Sequence, residues 1–135
     1  MTVFGQSAGS ILISQLLLNP NFNLARAAIL ESGFPASQTL FDPTRRQADW
    51  NLFVSEVPEC KGVSPQNAFS CLQSASSETI LNAGNTALSS IQEQFPFCPV
   101  IDGAGGIIPD IPSKLFAAGH FKKLPIMTGT VLDEG

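Results

Sequence analysis

The sequence is poor in charge, and this scarcity narrows the classes of function open to it. Only 13% of its 135 residues are charged, against about 25% in an ordinary soluble domain. Lys and Arg number 7, the net charge is −4, and the basic residues form no cluster. Phosphate binding needs Lys and Arg gathered on one face, so we expect no nucleic-acid partner. An acidic chain is also disfavoured at an anionic membrane surface.

Long apolar runs and metal-binding patterns are missing as well. No segment approaches the ~20 consecutive apolar residues of a transmembrane helix; the best candidate, Ile11–Leu18, is shorter and contains Ser14 and Gln15. The first residues lack the basic and then apolar pattern of a signal peptide. Neither a CxxC pair nor a His-rich tract occurs, and the sequence therefore gives no indication of zinc.

The clearest positive feature is the pentapeptide Gly5–Gly9, which reads G-Q-S-A-G between an apolar strand pattern and an apolar helix pattern. This context predicts a nucleophile elbow, in which Ser7 stands clear of the backbone at a sharp turn. We expect both flanking glycines to be required, because a larger side chain would crowd the turn. The N–H of Ala8 is the predicted oxyanion donor. The alternative is a structural Gly-Ser turn without chemistry.

The order of the predicted elements is that of an α/β protein with a parallel sheet covered on both faces. We expect strands at Thr2–Phe4, Ala27–Glu31 and Leu124–Gly129, a buried helix at Ser10–Leu18, and further helices from Asp42, at Pro65–Gln73, at Ser77–Ala83 and at Pro112–Ala118, with Asn85–Pro99 irregular. Three parallel strands leave exposed apolar edges, which favour aggregation. The chain is therefore expected to be an interior piece of a larger hydrolase.

A serine nucleophile needs a histidine base and a carboxylate that orients it, in the α/β-hydrolase order serine, acid, histidine. His120 is the only histidine, but it precedes the acidic loop in a polar helix end, so we assign it to the surface and expect the base beyond Gly135. Asp133 and Glu134 follow a strand end, where such sheets place functional residues. Local physics does not choose between these two carboxylates.

Other polar residues at turns have simpler explanations. Asp102, followed by Gly103, is expected to be a turn residue. Ser32 follows the strand Ala27–Glu31 and is either a turn former or a hydroxyl that supports the acid.

The three cysteines bear on the compartment. Cys60 and Cys71 flank a polar loop with Gly62 and Pro65, a good spacing for a disulfide worth roughly 3 kcal/mol in the chain-entropy model. Such a bridge would indicate an oxidising, secretory environment, and the alternative is two unpaired buried thiols. Cys98 is either free and buried or paired outside the chain.

Taken in order, these segments resemble the type-B carboxylesterase/lipase family, which includes cholinesterases and large secreted fungal lipases. The resemblance runs along essentially all 135 residues. Its segments are Thr2–Ser10, Arg26–Gly33, Cys60 with Cys71–Ala75, Phe97–Gly103, Ile108–Asp110, Leu124–Gly129 and Asp133–Gly135.

The resemblance implies roles for particular residues. Ser7 matches the family's nucleophile, Glu134 its triad acid, and Ser32 a supporting serine near the triad. Cys60 and Cys71 match a characteristic short-loop disulfide. One departure is Gln6, which stands where many members have glutamate and weakens a cholinesterase interpretation. The family's glycine-rich oxyanion loop, its lid and its histidine have no counterpart in this sequence.

The resemblance also implies the class of protein. We expect a partial α/β-hydrolase fold, a mostly parallel central sheet with flanking helices, in which residues 1–135 form the central part of one catalytic domain. The parent enzyme would be secreted and would hydrolyse small-molecule or lipid carboxylic esters through an acyl-Ser7 intermediate, without metal or cofactor. The chain alone would be inactive. The alternatives are a catalytically silent esterase-like domain used for adhesion or partner binding, and a small independent binding protein.

Overall fold

Three short parallel strands form a sheet in the order β1-β2-β3. The computed structural model describes residues 1–134. The strands are β1 (Thr2–Gln6), β2 (Ala27–Glu31) and β3 (Ile126–Gly129). In the register, Gln6 lies opposite Glu31 and Ala28 lies opposite Ile126. The parallel α/β arrangement is confirmed, and it brings the carboxyl ends of all three strands to one edge of the sheet.

Four of the five α-helices between residues 1 and 134 begin at a proline or after a capping side chain. The helices are α1 (Ala8–Leu16), α2 (Pro43–Glu56), α3 (Pro65–Ser74), α4 (Ser77–Ser90) and α5 (Pro112–Ala117), with a 3₁₀ helix at Pro58–Cys60. Proline suits the first helical position because the N–H it lacks would have no partner there. Asp42 caps α2 by accepting a 2.9 Å hydrogen bond from the N–H of Thr44.

Helix α4 is longer than the sequence pattern predicts. The prediction of an irregular segment from Asn85 is wrong up to Ser90, and it is confirmed from Ile91 to Pro99, where neither helix nor strand forms. Gly84, which lowers helix propensity by about 1 kcal/mol, lies inside α4 beside the ring of Phe53. Packing of this apolar face outweighs the propensity penalty.

The chain divides into two compact units. The sheet unit comprises Met1–Phe41 and the residues from Val100 onward, and the helical unit comprises Asp42–Pro99. The sheet unit has one buried cluster on the sheet, formed by Leu17, Ala28 and Leu30, and a second formed by Leu18, Leu40, Ile108 and Leu115.

The helical unit has a core of its own and contains a disulfide bond. Its buried residues are Val54, Val57, Cys60, Ala68 and Ala83. Cys60 and Cys71 form a disulfide, as the spacing and the resemblance predict. The bridge connects the 3₁₀ helix to α3.

Helix α1 is less enclosed than its apolar sequence predicts. Leu12 is 54% exposed, whereas the polar residues Ser10, Ser14 and Gln15 are buried. The expectation of a helix covered on every side is therefore wrong for the described residues. The helix turns its polar positions inward, and hydrogen bonds to main-chain carbonyls satisfy the two buried hydroxyls.

Candidate active site

Ser7 lies at the sharp turn where β1 ends and α1 begins. Its φ is 52° and its ψ is −120°, a backbone region that costs a non-glycine residue about 1–3 kcal/mol. The Ser7 N–H donates to the carbonyl of Glu31 at 2.9 Å, and the Ser7 carbonyl accepts from the N–H of Ile11 at 2.9 Å. Its side chain makes no capping bond to α1 and the residue is exposed. This geometry fits a nucleophile elbow.

The two glycines of the pentapeptide have different environments. A Cβ on Gly5 would lie 2.6 Å from the carbonyl carbon of Gly9, so the close approach of β1 to α1 requires Gly5. A Cβ on Gly9 would meet no described atom within 4 Å. The expectation that both glycines prevent crowding is therefore wrong for Gly9 among residues 1–134, because the first turn of α1 points its Cβ into open space.

Ala8 is the first residue of α1 and is exposed. The first N–H groups of a helix have no acceptor within the helix. They also lie at the positive end of the helix dipole. The Ala8 N–H therefore has the environment that an oxyanion donor needs, and its role stays a prediction.

Ser32, after the next strand, shares the positive φ of Ser7. Among residues 1–134, Ser7 and Ser32 are the non-glycine residues with positive φ, and Ser32 has φ 50°. The Ser32 N–H donates to the carbonyl of Gly129 at 2.8 Å, which continues the parallel ladder beyond the end of β2. Two strained serines thus follow neighbouring strands at one edge of the sheet.

The acidic loop follows β3, at the same edge. Asp133 and Glu134 are both exposed. Glu134 accepts a 2.9 Å hydrogen bond from the N–H of Val131, so its carboxylate folds back on its own loop. The Asp133 carboxylate makes no hydrogen bond to the described residues. The two carboxylates therefore differ in their contacts with the loop. Gly135, the last residue of the predicted acid motif, lies outside the described residues.

His120 and Asp102 have the structural places that the sequence predicts. His120 is exposed, and its N–H donates to the carbonyl of Leu115 at 2.8 Å just after α5. The carboxylate of Asp102 accepts from the N–H groups of Ile107 and Ile108, each at 2.8 Å, and so closes a glycine-rich turn. Neither residue takes part in the Ser7 turn.

The helical unit contains an ion-pair cluster that the sequence pattern does not reveal. Arg45 and Arg46 both bind Glu93, and Arg46 also binds Asp49 at 3.3 Å. Hydrogen bonds from Arg46 and then from Arg45 lower the pKa of the Glu93 carboxyl. Arg46 also lies 3.5 Å from the sulfur of Cys98, a half-buried free thiol. No local signal predicts the contact between Arg46 and Glu93, because 47 residues separate them.

Two features are not found within the part of the chain that the structure describes. No group of three or more His, Cys, Asp or Glu side chains is arranged to hold a metal ion. None of the helices between residues 1 and 134 has the length and apolar character required to cross a membrane.

Comparison with proteins of known sequence shows the family. The carboxylesterase family matches residues 1–135. The acetylcholinesterase of Bungarus fasciatus is 33% identical over 139 residues, which cover 100% of this chain and 22% of that protein. Lipase 2 of Geotrichum candidum is 28% identical over 145 residues, which cover 98% of this chain and 25% of that protein.

Two solved structures with a similar fold are esterases. The juvenile hormone esterase of Manduca sexta, with OTFP covalently attached, matches with a TM-score of 0.70 and 30% identity, over 93% of this chain and 24% of that one. The Geobacillus stearothermophilus carboxylesterase matches with a TM-score of 0.72 and 27% identity, over 96% and 25%. The chain spans no more than a quarter of each of these four proteins. With a parallel sheet of the α/β-hydrolase type and a family match along its whole length, this chain belongs to the carboxylesterase family.

Proposed function

We propose that the protein containing this chain hydrolyses carboxylic esters with Ser7 as its nucleophile. The observation that carries the proposal is the strained turn at Ser7, whose exposed side chain makes no bond to the helix it precedes. Membership of the carboxylesterase family supports the same chemistry. Residues 1–135 would then form the central part of one α/β-hydrolase catalytic domain.

The reaction would proceed in two steps through an acyl-enzyme. The Ser7 oxygen attacks the ester carbonyl while a histidine takes its proton, and the Ala8 N–H donates to the oxyanion. The histidine then returns the proton to the departing alcohol. Water, activated by the same histidine, hydrolyses acyl-Ser7 and restores the serine. This chemistry requires neither a metal nor a cofactor.

Glu134 would orient the histidine and stabilise its protonated form. Its loop follows β3, and in a parallel sheet of this order that loop lies at the same edge as Ser7, which follows β1. The hydrogen bond from Val131 to Glu134 supports the choice of Glu134 over Asp133, because it fixes the direction of that carboxylate. Ser32, at the end of the strand between them, would support the acid. We assign the histidine to another part of the protein, since His120 lies outside this arrangement.

The names of the relatives support a class of substrate, and the disulfide supports a compartment. One solved neighbour carries a covalently attached compound, and the similar sequences include an acetylcholinesterase and a lipase. The substrate would accordingly be a small-molecule or lipid carboxylic ester. The Cys60–Cys71 disulfide supports secretion into an oxidising environment.

Covalent labelling tests the nucleophile directly. The protein isolated from its source is treated with a fluorophosphonate, digested with trypsin and sequenced by tandem mass spectrometry. We expect the phosphonyl group on Ser7. Ser10 and Ser14 serve as internal controls, because they are 0% and 1% exposed and precede the same tryptic site, Arg26. A folded protein with unlabelled Ser7 would support the catalytically silent alternative.

The matching kinetic test is Ser7→Ala in the full protein. We expect kcat/KM for a nitrophenyl ester to fall by about 10⁴-fold or more, because the acyl-enzyme can no longer form. The unfolding temperature should change little, since the alanine replaces one exposed hydroxyl. The 135-residue chain by itself should show no hydrolysis that depends on Ser7. Wild-type activity in the Ser7→Ala variant would refute the assignment.

A further inference from the structure

We propose that Ser10 is a positioning residue for Ser7, acting through a hydrogen bond to the carbonyl of Gly33. The inference rests on the proposed role of Ser7 as nucleophile. Ser10 is fully buried, and its hydroxyl donates to the Gly33 oxygen at 2.7 Å. This bond joins the first turn of α1 to the turn that follows β2, 23 residues further along the chain.

The backbone of Ser7 needs such support because its conformation is unfavourable. A residue in a sparsely populated backbone region persists there only where its surroundings enforce it. Two main-chain hydrogen bonds act on Ser7, one from its N–H to Glu31 and one to its carbonyl from Ile11. Neither of these bonds involves the chain after Glu31, which packs against the same turn.

Gly33 is the residue of this following segment that contacts the Ser7 turn. A Cβ on Gly33 would lie 2.7 Å from the Ser7 carbonyl oxygen and 2.9 Å from the Ser10 Cβ, so its backbone is packed directly against the turn. The hydrogen bond from the Ser10 hydroxyl holds the Gly33 carbonyl in this position. Because Gly33 follows Ser32, whose φ is 50°, the same bond restrains the second strained serine. One buried hydroxyl therefore restrains the backbone at both serines.

Ser14 provides a matched comparison on the same helix. It is as buried as Ser10, and its hydroxyl also donates to a carbonyl at 2.7 Å. That carbonyl belongs to Ile11, three residues earlier in α1. Ser14→Ala therefore removes a bond within the helix, whereas Ser10→Ala removes a bond between two segments of the site. The two substitutions delete the same atom from similar environments.

The experiment compares Ser10→Ala and Ser14→Ala in the full protein. Its readouts are the rate of Ser7 phosphonylation by a fluorophosphonate, kcat and KM for a nitrophenyl ester, and the unfolding temperature. We expect Ser10→Ala to slow phosphonylation and lower kcat by about 10-fold with KM nearly unchanged, because small displacements of a nucleophile reduce reactivity steeply. Ser14→Ala should keep both rates within about twofold of wild type.

A second variant guards against misfolding of the alanine protein. Ser10→Cys fills the same space with a weaker donor, and we expect a phosphonylation rate between those of wild type and Ser10→Ala. A wild-type rate in either Ser10 variant would overturn the inference, as would an equal loss in Ser14→Ala. Failure of the proposed function has a different signature, since wild-type Ser7 would then remain unlabelled.

Discussion

The two units of this chain maintain their geometry by different means. In the sheet unit, the turn at Ser7 depends on close contact between backbones, at Gly5 against Gly9 and at Gly33 against Ser7. In the helical unit, side chains pack around Val57 and Cys60, both 0% exposed, and a disulfide connects two helical segments. Backbone contact fixes the conformation of the candidate nucleophile, whereas side-chain packing and a covalent bond stabilise the helical unit.

Both units combine buried with strongly exposed apolar residues. In the sheet unit, Phe4 on β1 is 76% exposed and Met127 on β3 is 68% exposed. In the helical unit, the residues that face the core between α2 and α4, such as Val54 and Ala87, are buried. In the same unit Phe69 is 64% exposed, so the two units differ in what fixes their geometry and not in how completely they enclose apolar side chains. The following predictions test this contrast, from the largest expected effect to the smallest.

Gly5→Ala should cause the largest loss of stability. The new Cβ would lie 2.6–2.9 Å from backbone atoms of Gly9 and Ser10, which cannot rotate away. We expect a loss of unfolding free energy above about 3 kcal/mol together with loss of Ser7 labelling. The control is Gly9→Ala, which should keep stability within about 1 kcal/mol, since alanine favours a helix and has space here. Denaturant unfolding measures both, and equal losses would refute the backbone-contact argument.

Removal of the disulfide should destabilise the helical unit selectively. For Cys60→Ser with Cys71→Ser, the 11-residue separation predicts a loss of about 2.8 kcal/mol in the chain-entropy model. Hydrogen exchange followed by mass spectrometry should show faster exchange across residues 42–99. Exchange in β1 and β2 should change less. Equal acceleration in both units would mean that they do not differ in the way that we describe.

Helix capping should have a moderate effect that depends on one bond. Ser76 caps α4 by accepting from the N–H of Thr79 at 3.0 Å, whereas Ser64 precedes α3 with a similar backbone but no capping bond. Ser76→Ala should therefore cost about 1 kcal/mol, and Ser64→Ala less than about 0.5 kcal/mol. Thermal unfolding of the two variants measures the difference. A larger loss for Ser64→Ala would contradict the assigned cap.

Glu93→Gln should produce the smallest change in unfolding temperature, and this change should depend most on pH. Binding to the two arginines lowers the pKa of Glu93 below its ordinary value of 4.5. Its contribution to stability is therefore complete above pH 4.5 and is lost as the pH falls through the lower folded-state pKa. The unfolding temperature of wild type should exceed that of Glu93→Gln near pH 7, and the gap should narrow below pH 4.5.

The control for this pH series is Glu56→Gln, which removes the same charge from an exposed glutamate of α2. The difference in unfolding temperature between wild type and Glu56→Gln should not narrow below pH 4.5 as it does for Glu93→Gln. A constant gap for Glu93→Gln between pH 7 and pH 3 would contradict the proposed ion pairing.

Local pattern was sufficient to predict most elements of the fold. The strand Ala27–Glu31 matches its predicted limits, because an uninterrupted apolar run followed by Ser-Gly indicates a covered strand and a turn. The end of α4 was predicted too early, because Gly84 and Asn85 are weak helix formers by themselves. Packing against α2 determines the actual end, and such packing is invisible in a local window.

The candidate site shows the same division. The sequence pattern indicates Ser7 as an elbow serine, and the resemblance to a family indicates Glu134 and the Cys60–Cys71 bridge. It does not reveal that Gly9 has open space, nor that Gly33 packs against Ser7. Both features depend on how segments that are distant in the sequence pack around the Ser7 turn.

The amino-acid sequence by itself determined the order of strands and helices, the turn at Ser7 and the family, because propensities and short motifs act over a few residues. Only the tertiary structure decided which residues support that turn. The Ser10–Gly33 bond and the Arg46–Glu93 pair span 23 and 47 residues. Such contacts depend on how the strands align and the helices pack, which is a property of the whole folded chain and of no single segment.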